Sequence, residues 1–252
     1  MSTGSHTAVR GASDGAAAEL SEWRSHARVF LQPIAAPSIL GLYGFAVATF
    51  MVTAYQVGWY GHHAATTVAL IFPFATAAGG IAQGVAAIWA YKARDGLATA
   101  IHGIWAAFWL GYGFLNFMIA LKVVPAPAPY AAVPALGYWF YTLAAVTLVG
   151  MIASLGESLA ITAVLAPLWA GVALLGVFYT VGGEGWEYVG GYVTMASAFV
   201  AFYTASAMML ASAFGRVIFP LGKYRREANV PGQQPTYPIQ FALGEPGVKQ
   251  GK

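Results

Sequence analysis

Six stretches of the chain, at roughly 38–60, 65–92, 97–121, 133–155, 159–182 and 188–218, stay apolar for long enough to cross a bilayer. A helix needs about 20 such residues to span the hydrocarbon. No Asp, Glu, Lys or Arg falls in the middle of any of them, while polar residues gather between and beyond them. The period-two alternation of a membrane β-barrel is absent, so the spans are helices. The pattern predicts an all-α polytopic membrane protein with six transmembrane helices.

The flanks read differently. Residues 1–35 form an N-terminal segment whose first 17 residues, rich in Gly, Ser and Ala, are expected to be disordered. The stretch AELSEWRSHARVFLQ then sets Leu20, Trp23, Ala27, Phe30 and Leu31 at helical spacing, apart from Arg24 and Arg28. That is the pattern of a short helix lying in the membrane interface. The transmembrane domain is expected at 36–222, and 223–252 reads as a polar, extended tail. Neither end reads as a signal peptide.

Charge sets the orientation. Arg10, Arg24 and Arg28 precede the first span, Lys92 and Arg94 separate the second from the third, and Arg216, Lys223, Arg225, Arg226, Lys249 and Lys252 follow the sixth. Lys122 alone falls on the other side. By the positive-inside rule both termini are expected to be cytoplasmic, and the expected location is the cell (inner or plasma) membrane. Arg216, in SAFGRVIFPLGKYRRE, is expected to reach headgroups and to help satisfy the last carbonyls of the sixth helix.

Composition adds exclusions. The 252 residues are 59% hydrophobic and only 8% charged, against about a quarter charged in soluble domains. With no cysteine, disulfides, thiolate metal sites and thiol catalysis are excluded. No phosphate-binding glycine loop is present, and the absence of mid-span acids argues against a cation channel. One intramembrane histidine cannot supply both axial ligands of a haem. The expectation is therefore no enzyme, cofactor, metal or nucleic-acid partner.

Within the spans, GGIAQG places Gly80 and Gly84 four apart, and the last span carries Ser197, Ala201 and Ala205. Such small residues let helix backbones approach closely. Gln83, His102 and Asn116 stand out as polar, together with Tyr43, Tyr112, Tyr141, Tyr179 and Tyr203. Intramembrane polar groups are costly unless partnered, so each is a functional candidate. His102 lies about a turn and a half into its span, a depth that suits the interface, with a proton relay as the alternative. Gln83 is expected to bond a neighbouring helix or line a pore. Pro37 opens the first span where a helix start tolerates proline. A helix start facing a cavity offers N–H groups and a positive dipole end to a carboxylate. Pro73 and Pro167 lie inside spans and predict kinks or exposed carbonyls.

Three motifs in order, APSILGLYGF, GGIAQGVAAIWAYKARDG and FGRVIFPLG, resemble those of the acetate uptake transporter, or succinate–acetate permease, family. The resemblance runs over roughly 36–223. It implies a six-helix bundle with a pore in each protomer, assembled as a hexamer, that passes acetate and in some members succinate. Proton coupling and channel behaviour both remain open. It further implies a hydrophobic constriction at Phe45, Trp105 and Leu168, and a substrate path past Pro37, Leu40, Gly41, Leu42, Gln83 and Tyr203. The chain departs from the family pattern at Ala36 (asparagine in the family), Ile39 (proline), Ala90 (often acidic), Ala211 (asparagine) and Trp105 (tyrosine). Losing the asparagine amide at position 36 removes two donors and an acceptor from the expected vestibule. Two other readings fit the composition: a channel for small neutral solutes such as urea or amides, and a membrane-anchor subunit of an enzyme complex.

Overall fold

The computed structural model describes residues 35–61, 64–93 and 95–223. The expected interfacial helix, the tail beyond 223, His62, His63 and Arg94 lie outside these residues. The spans are α1 (Pro37–Gln56), a composite second span, α4 (Gly96–Ala120), α5 (Pro134–Ser154), α6 (Leu159–Val181) and α7 (Glu184–Phe214). The second span runs from α2 (Ala65–Ala75) through a π-helical segment (Thr76–Ala82) into α3 (Gln83–Lys92). All six are long and apolar enough to cross a membrane, and their lipid-facing positions carry residues such as Leu70, Phe74, Ile88, Phe114, Val149 and Phe202. The chain is a multi-pass membrane protein.

Local chemistry explains the boundaries. Proline occupies the first turn of α1 and of α5, where its missing N–H is no loss. The side chain of Asp95 accepts from Ala98 N–H at 3.0 Å to cap α4, and Ser158 Oγ accepts from Ile161 N–H at 3.4 Å to cap α6. α1 ends at Gln56, four residues before the expected boundary, and Gly58 at φ 75° turns the chain away. α7 begins four residues early, at Glu184, because Glu184 and Glu187 in its first turn complement the helix dipole.

The other end of α7 also differs from expectation. Gly215, left-handed at φ 63°, stops the helix at Phe214, so Arg216 lies beyond it, exposed. The rest of FGRVIFPLG folds back onto α6. The carbonyls of Leu221 and Gly222 accept from Ala160 N–H at 3.0 Å and Leu159 N–H at 3.1 Å. Tyr203 Oη donates to the Pro220 carbonyl at 2.7 Å and anchors the return. The motif ends one helix and caps another.

The prolines behave unequally. Pro73 lies three residues before the π segment, whereas α6 continues through Pro167 as one α-helix.

Around the bundle, α1 packs on the second span, the second span on α4, α4 on α5, α5 on α6, α6 on α7 and α7 on α1. Among the described residues the second span makes no contact with α5, α6 or α7. The spans therefore close into a ring, with α1 also touching α4 and the α4–α5 seam the loosest. α1, α4 and α6 begin on one face, here the near face; the opposite end is the far face. Helix approach relies on small residues, as expected in lipid. The buried stripe of α7 includes Gly190, Gly191, Ser197, Ala201 and Ala205, and Ser197 Oγ donates to the Val164 carbonyl of α6 at 2.7 Å.

Candidate functional site

At mid-depth the ring is filled by side chains. Phe45 from α1, Trp105 from α4 and Leu168 from α6 belong to one apolar cluster, at 3%, 3% and 1% exposure. Phe45 and Trp105 meet edge to face, with ring centroids 5.9 Å apart at 74°. Trp105 Nε1 donates to Thr147 Oγ1 of α5 at 3.3 Å, and Thr147 Oγ1 in turn donates to the Leu143 carbonyl at 2.7 Å. This chain of bonds fixes the indole across the centre.

One helical turn to each side, the interior opens. Towards the near face, Leu42, Ile101, His102 and Leu165 line a cavity of about 40 Å³, rimmed by Ser38, Asp95 and Glu157. Towards the far face, Thr49, Trp109 and Val172 begin a cavity of about 260 Å³ that reaches Gln56, Tyr179 and the α4–α5 seam. The same three helices thus carry, in register, a small polar-rimmed cavity, an apolar layer and a large aromatic cavity.

Buried polar atoms flank the layer. Among the described residues, four buried side-chain polar atoms have no hydrogen-bond partner: Thr49 Oγ1, Gln83 Nε2, Trp109 Nε1 and Thr194 Oγ1. Thr49 and Trp109 each lie four residues beyond a layer residue, and Thr194 faces Gly171, three residues beyond Leu168. Three of the four therefore sit one turn outward of the layer, on residues that line the far cavity. The fourth, Gln83, uses its other atom: Oε1 lies 3.3 Å from His102 Nδ1.

His102 does not sit at the lipid interface. It is 5% exposed, inside the ring, with its imidazole against Gly41 of α1 so closely that a methyl group there would collide with it. Gly41 on one helix makes room for His102 on another, and Gln83 on a third holds it.

The other expected residues divide. Gly41 and Leu42 face the interior, and Leu42 lines the near cavity. Leu40 is 45% exposed on the outer side of α1. Tyr203, 39% exposed, lines neither cavity and serves the returning tail. Gly80 packs beneath Leu110 of α4 and Gly84 beside Ala106, while Gly79, not singled out in the sequence, receives the Trp109 indole. Pro37 opens α1 beside the near cavity, to which Ser38 contributes. Of the three helices that begin there, α4 and α6 have first-turn N–H groups occupied by Asp95, Ser158 and the returning tail. α1 begins at Ala36 with no side-chain cap.

Sequence reasoning missed Thr49, Trp109, Thr194 and Thr147. Four-residue spacing from Phe45 and Trp105 would have found the first two. It also left Glu187 outside the last span, whereas Glu187 continues the interior stripe of α7 two turns beyond Thr194, at 7% exposure. No group of three metal-ligating side chains comes together among the described residues.

A closed ring of six membrane-spanning helices, with a cavity on each side of one apolar layer, defines a membrane protein of the pore type. The chain belongs to the GPR1/FUN34/yaaH family, whose pattern matches residues 22–221. It is similar to the succinate-acetate/proton symporter SatP of Escherichia coli K12, 26% identical over 190 residues that cover 75% of this chain and 96% of that protein. The SatP of Shigella flexneri matches to the same extent, 26% over 190 residues. Among solved structures it is similar to the bacterial acetate channel SatP, with a TM-score of 0.68 and 25% identity over 75% of this chain and all of that one.

Proposed function

We propose that this protein is a plasma-membrane permease for acetate and related small carboxylates, succinate among them, with both termini in the cytoplasm. It is a transport protein, not an enzyme. The observation that carries the reading is the buried Phe45–Trp105–Leu168 layer between two cavities on the axis of a six-helix ring. The names of the relatives supply the substrate class.

Physical chemistry assigns the parts. The start of α1, uncapped by any side chain, offers the Ser38 N–H and the positive end of the helix dipole to a carboxylate on the cytoplasmic side, Pro37 having no N–H and Ile39 N–H bonding the Ala36 carbonyl. Gly41, Leu42 and Gln83 form the path from there to the layer. Phe45, Trp105 and Leu168 are the constriction. A carboxylate sheds most of its hydration there, and crossing as the neutral acid is far cheaper. In this reading His102, whose Nδ1 lies 3.3 Å from Gln83 Oε1 one turn before the constriction, hands a proton to the substrate or takes it back. The transporting unit is residues 36–222, and the protomers assemble as a hexamer with one pore each.

The test is uptake of labelled acetate into proteoliposomes, with and without an inward proton gradient. Accumulation driven by the gradient is expected for coupled transport, and equilibration without accumulation for a channel. Flux no greater than in empty vesicles would sink the reading. Competition by propionate but not by urea is expected.

A further inference from the structure

Among the described residues Glu187 is the one acidic side chain that is buried, and neither the constriction nor the near chamber uses it. Its place follows from the stripe of α7. Gly191, four residues on, packs against Gln56 and Val57 at the end of α1, and Gly190, three residues on, packs against Leu175 of α6. One turn outward of both, Glu187 stands between the far ends of α1 and α6, where its charge acts on Tyr55 and Tyr179. Gln56 and Tyr179 hydrogen-bond to each other and line the far cavity close to the ends of their helices. Glu187 is therefore beside the outer mouth of that cavity.

Nothing nearby offsets the charge among the described residues. Lys122 follows α4, a helix that makes no contact with α7. The nearest charged group is Glu184, of the same sign, which Tyr130 Oη holds by donating at 3.1 Å. Glu184, exposed in the first turn, already serves the helix dipole, a role that does not require burying a second carboxyl. A buried carboxylate without a cation is costly, and a proton relieves the cost. At a mouth with low-dielectric walls, a fixed charge also acts strongly on an arriving anion.

We propose that Glu187 is a proton-exchanging charge that controls entry of carboxylates through the far mouth. Protonated, it leaves the mouth open to them; ionised, it repels them. The step moves one proton between water on the far side and a carboxylate oxygen of Glu187, and no other bond changes. The inference rests on the reading of the chain as a carboxylate permease and adds a control at its far end, across the layer from His102. The other titratable groups around it are Tyr55, with Tyr60 edge-on against it, Tyr179 and Glu184. His62 and His63 follow in the loop after α1 and need their own control.

The test measures initial flux of labelled acetate in proteoliposomes oriented with the far face outward. The internal pH is fixed and the external pH is stepped from about 5 to about 8, where tyrosines stay neutral. Dividing the flux of the natural protein by that of Glu187→Gln at each pH cancels the changing fraction of neutral acid. The two are expected to agree at the acid end. At the alkaline end the natural protein should run about fivefold slower, a difference of about 1 kcal/mol. Glu187→Asp should keep the pH dependence, as should Glu184→Gln and the pair His62→Gln with His63→Gln. Glu187→Leu, apolar at the same buried position, answers the question if the amide variant is not recovered folded. A ratio that stays constant with pH overturns the proposal, as does a pH dependence that is lost with Glu184 or the two histidines instead. Acetate flux with a constant ratio removes this inference alone, whereas no acetate flux at any pH removes the permease reading on which it rests.

Discussion

The two cavities that flank the apolar layer are built from consecutive turns of the same helices, yet they differ in kind. The near one is about 40 Å³, rimmed by Asp95 and Glu157, and contains His102 held between Gly41 and Gln83. The far one is about 260 Å³ and walled by aromatic rings, with few polar groups, several of them unpartnered. A buried layer therefore stands between unlike chambers. In the proposed permease, the near chamber is where the substrate's charge and hydration are handled, and the far chamber is its wider counterpart across the layer. The asymmetry arises from packing: the His102 ring fills the space over Gly41 on the near side, whereas the loose α4–α5 seam leaves room for the larger cavity on the far side.

The largest expected effect comes from filling the space that His102 occupies. Gly41→Leu forces the imidazole out of its slot, and overpacking of this sort costs about 1–3 kcal/mol. Acetate flux in proteoliposomes is expected to be lost, with the protein still recovered as a folded species on size-exclusion chromatography. Normal flux in that variant would mean that the near chamber is not on the path.

Opening the layer acts in the opposite direction. Phe45→Ala combined with Trp105→Ala joins the chambers and is expected to raise acetate flux about tenfold, the result of lowering a barrier by about 1.4 kcal/mol. Discrimination between acetate and larger acids should fall with it. Unchanged flux and selectivity would show that the layer is not the constriction.

His102→Gln keeps the size and a hydrogen bond to Gln83 but carries no titrating group. Accumulation of labelled acetate under a proton gradient should disappear while passive equilibration continues. If accumulation persists, the proton travels elsewhere. The smallest effect belongs to a residue outside both chambers. Tyr203→Phe removes the bond to the Pro220 carbonyl and is expected to cost about 1 kcal/mol in stability, read as a small drop in melting temperature, with flux unaltered.

The spans were legible because about 20 apolar residues without a charge leave few alternatives in any fold. Their ends were less so, since Gly58, Gly183 and Gly215 decide them by backbone conformation rather than hydropathy. The π-helical segment at Thr76–Ala82 had only Pro73 and the glycine pair as signals, neither of which specifies a register change. Phe45 and Trp105 were proposed from the motifs beside them, GLYGF and FWL, and Leu168 only from its distance along the chain after ASL; the three fall in one buried cluster. The depth of His102 in the protein was not legible. A position a turn and a half from a helix end pointed to the interface, and it is Gly41, sixty-one residues away in sequence, that makes room for the ring in the interior. Tyr203 and Gln83 looked alike as intramembrane polar residues. Only the return of the tail across α7 shows that one ties down a loop while the other partners His102.

In the proposed permease one layer separates two chambers that open to opposite sides of the membrane. The chain contains no cysteine, so single substitutions can be read without background. Ser38→Cys, in the near cavity, and Gln56→Cys, in the far one, would each be exposed in oriented vesicles to a membrane-impermeant thiol reagent on one side at a time. The account predicts that Ser38→Cys is labelled only from the cytoplasmic side and Gln56→Cys only from the other. It further predicts that adding Phe45→Ala and Trp105→Ala lets a small reagent reach each from both sides. Labelling of both single-cysteine proteins from the same side, or no effect of opening the layer, would contradict it.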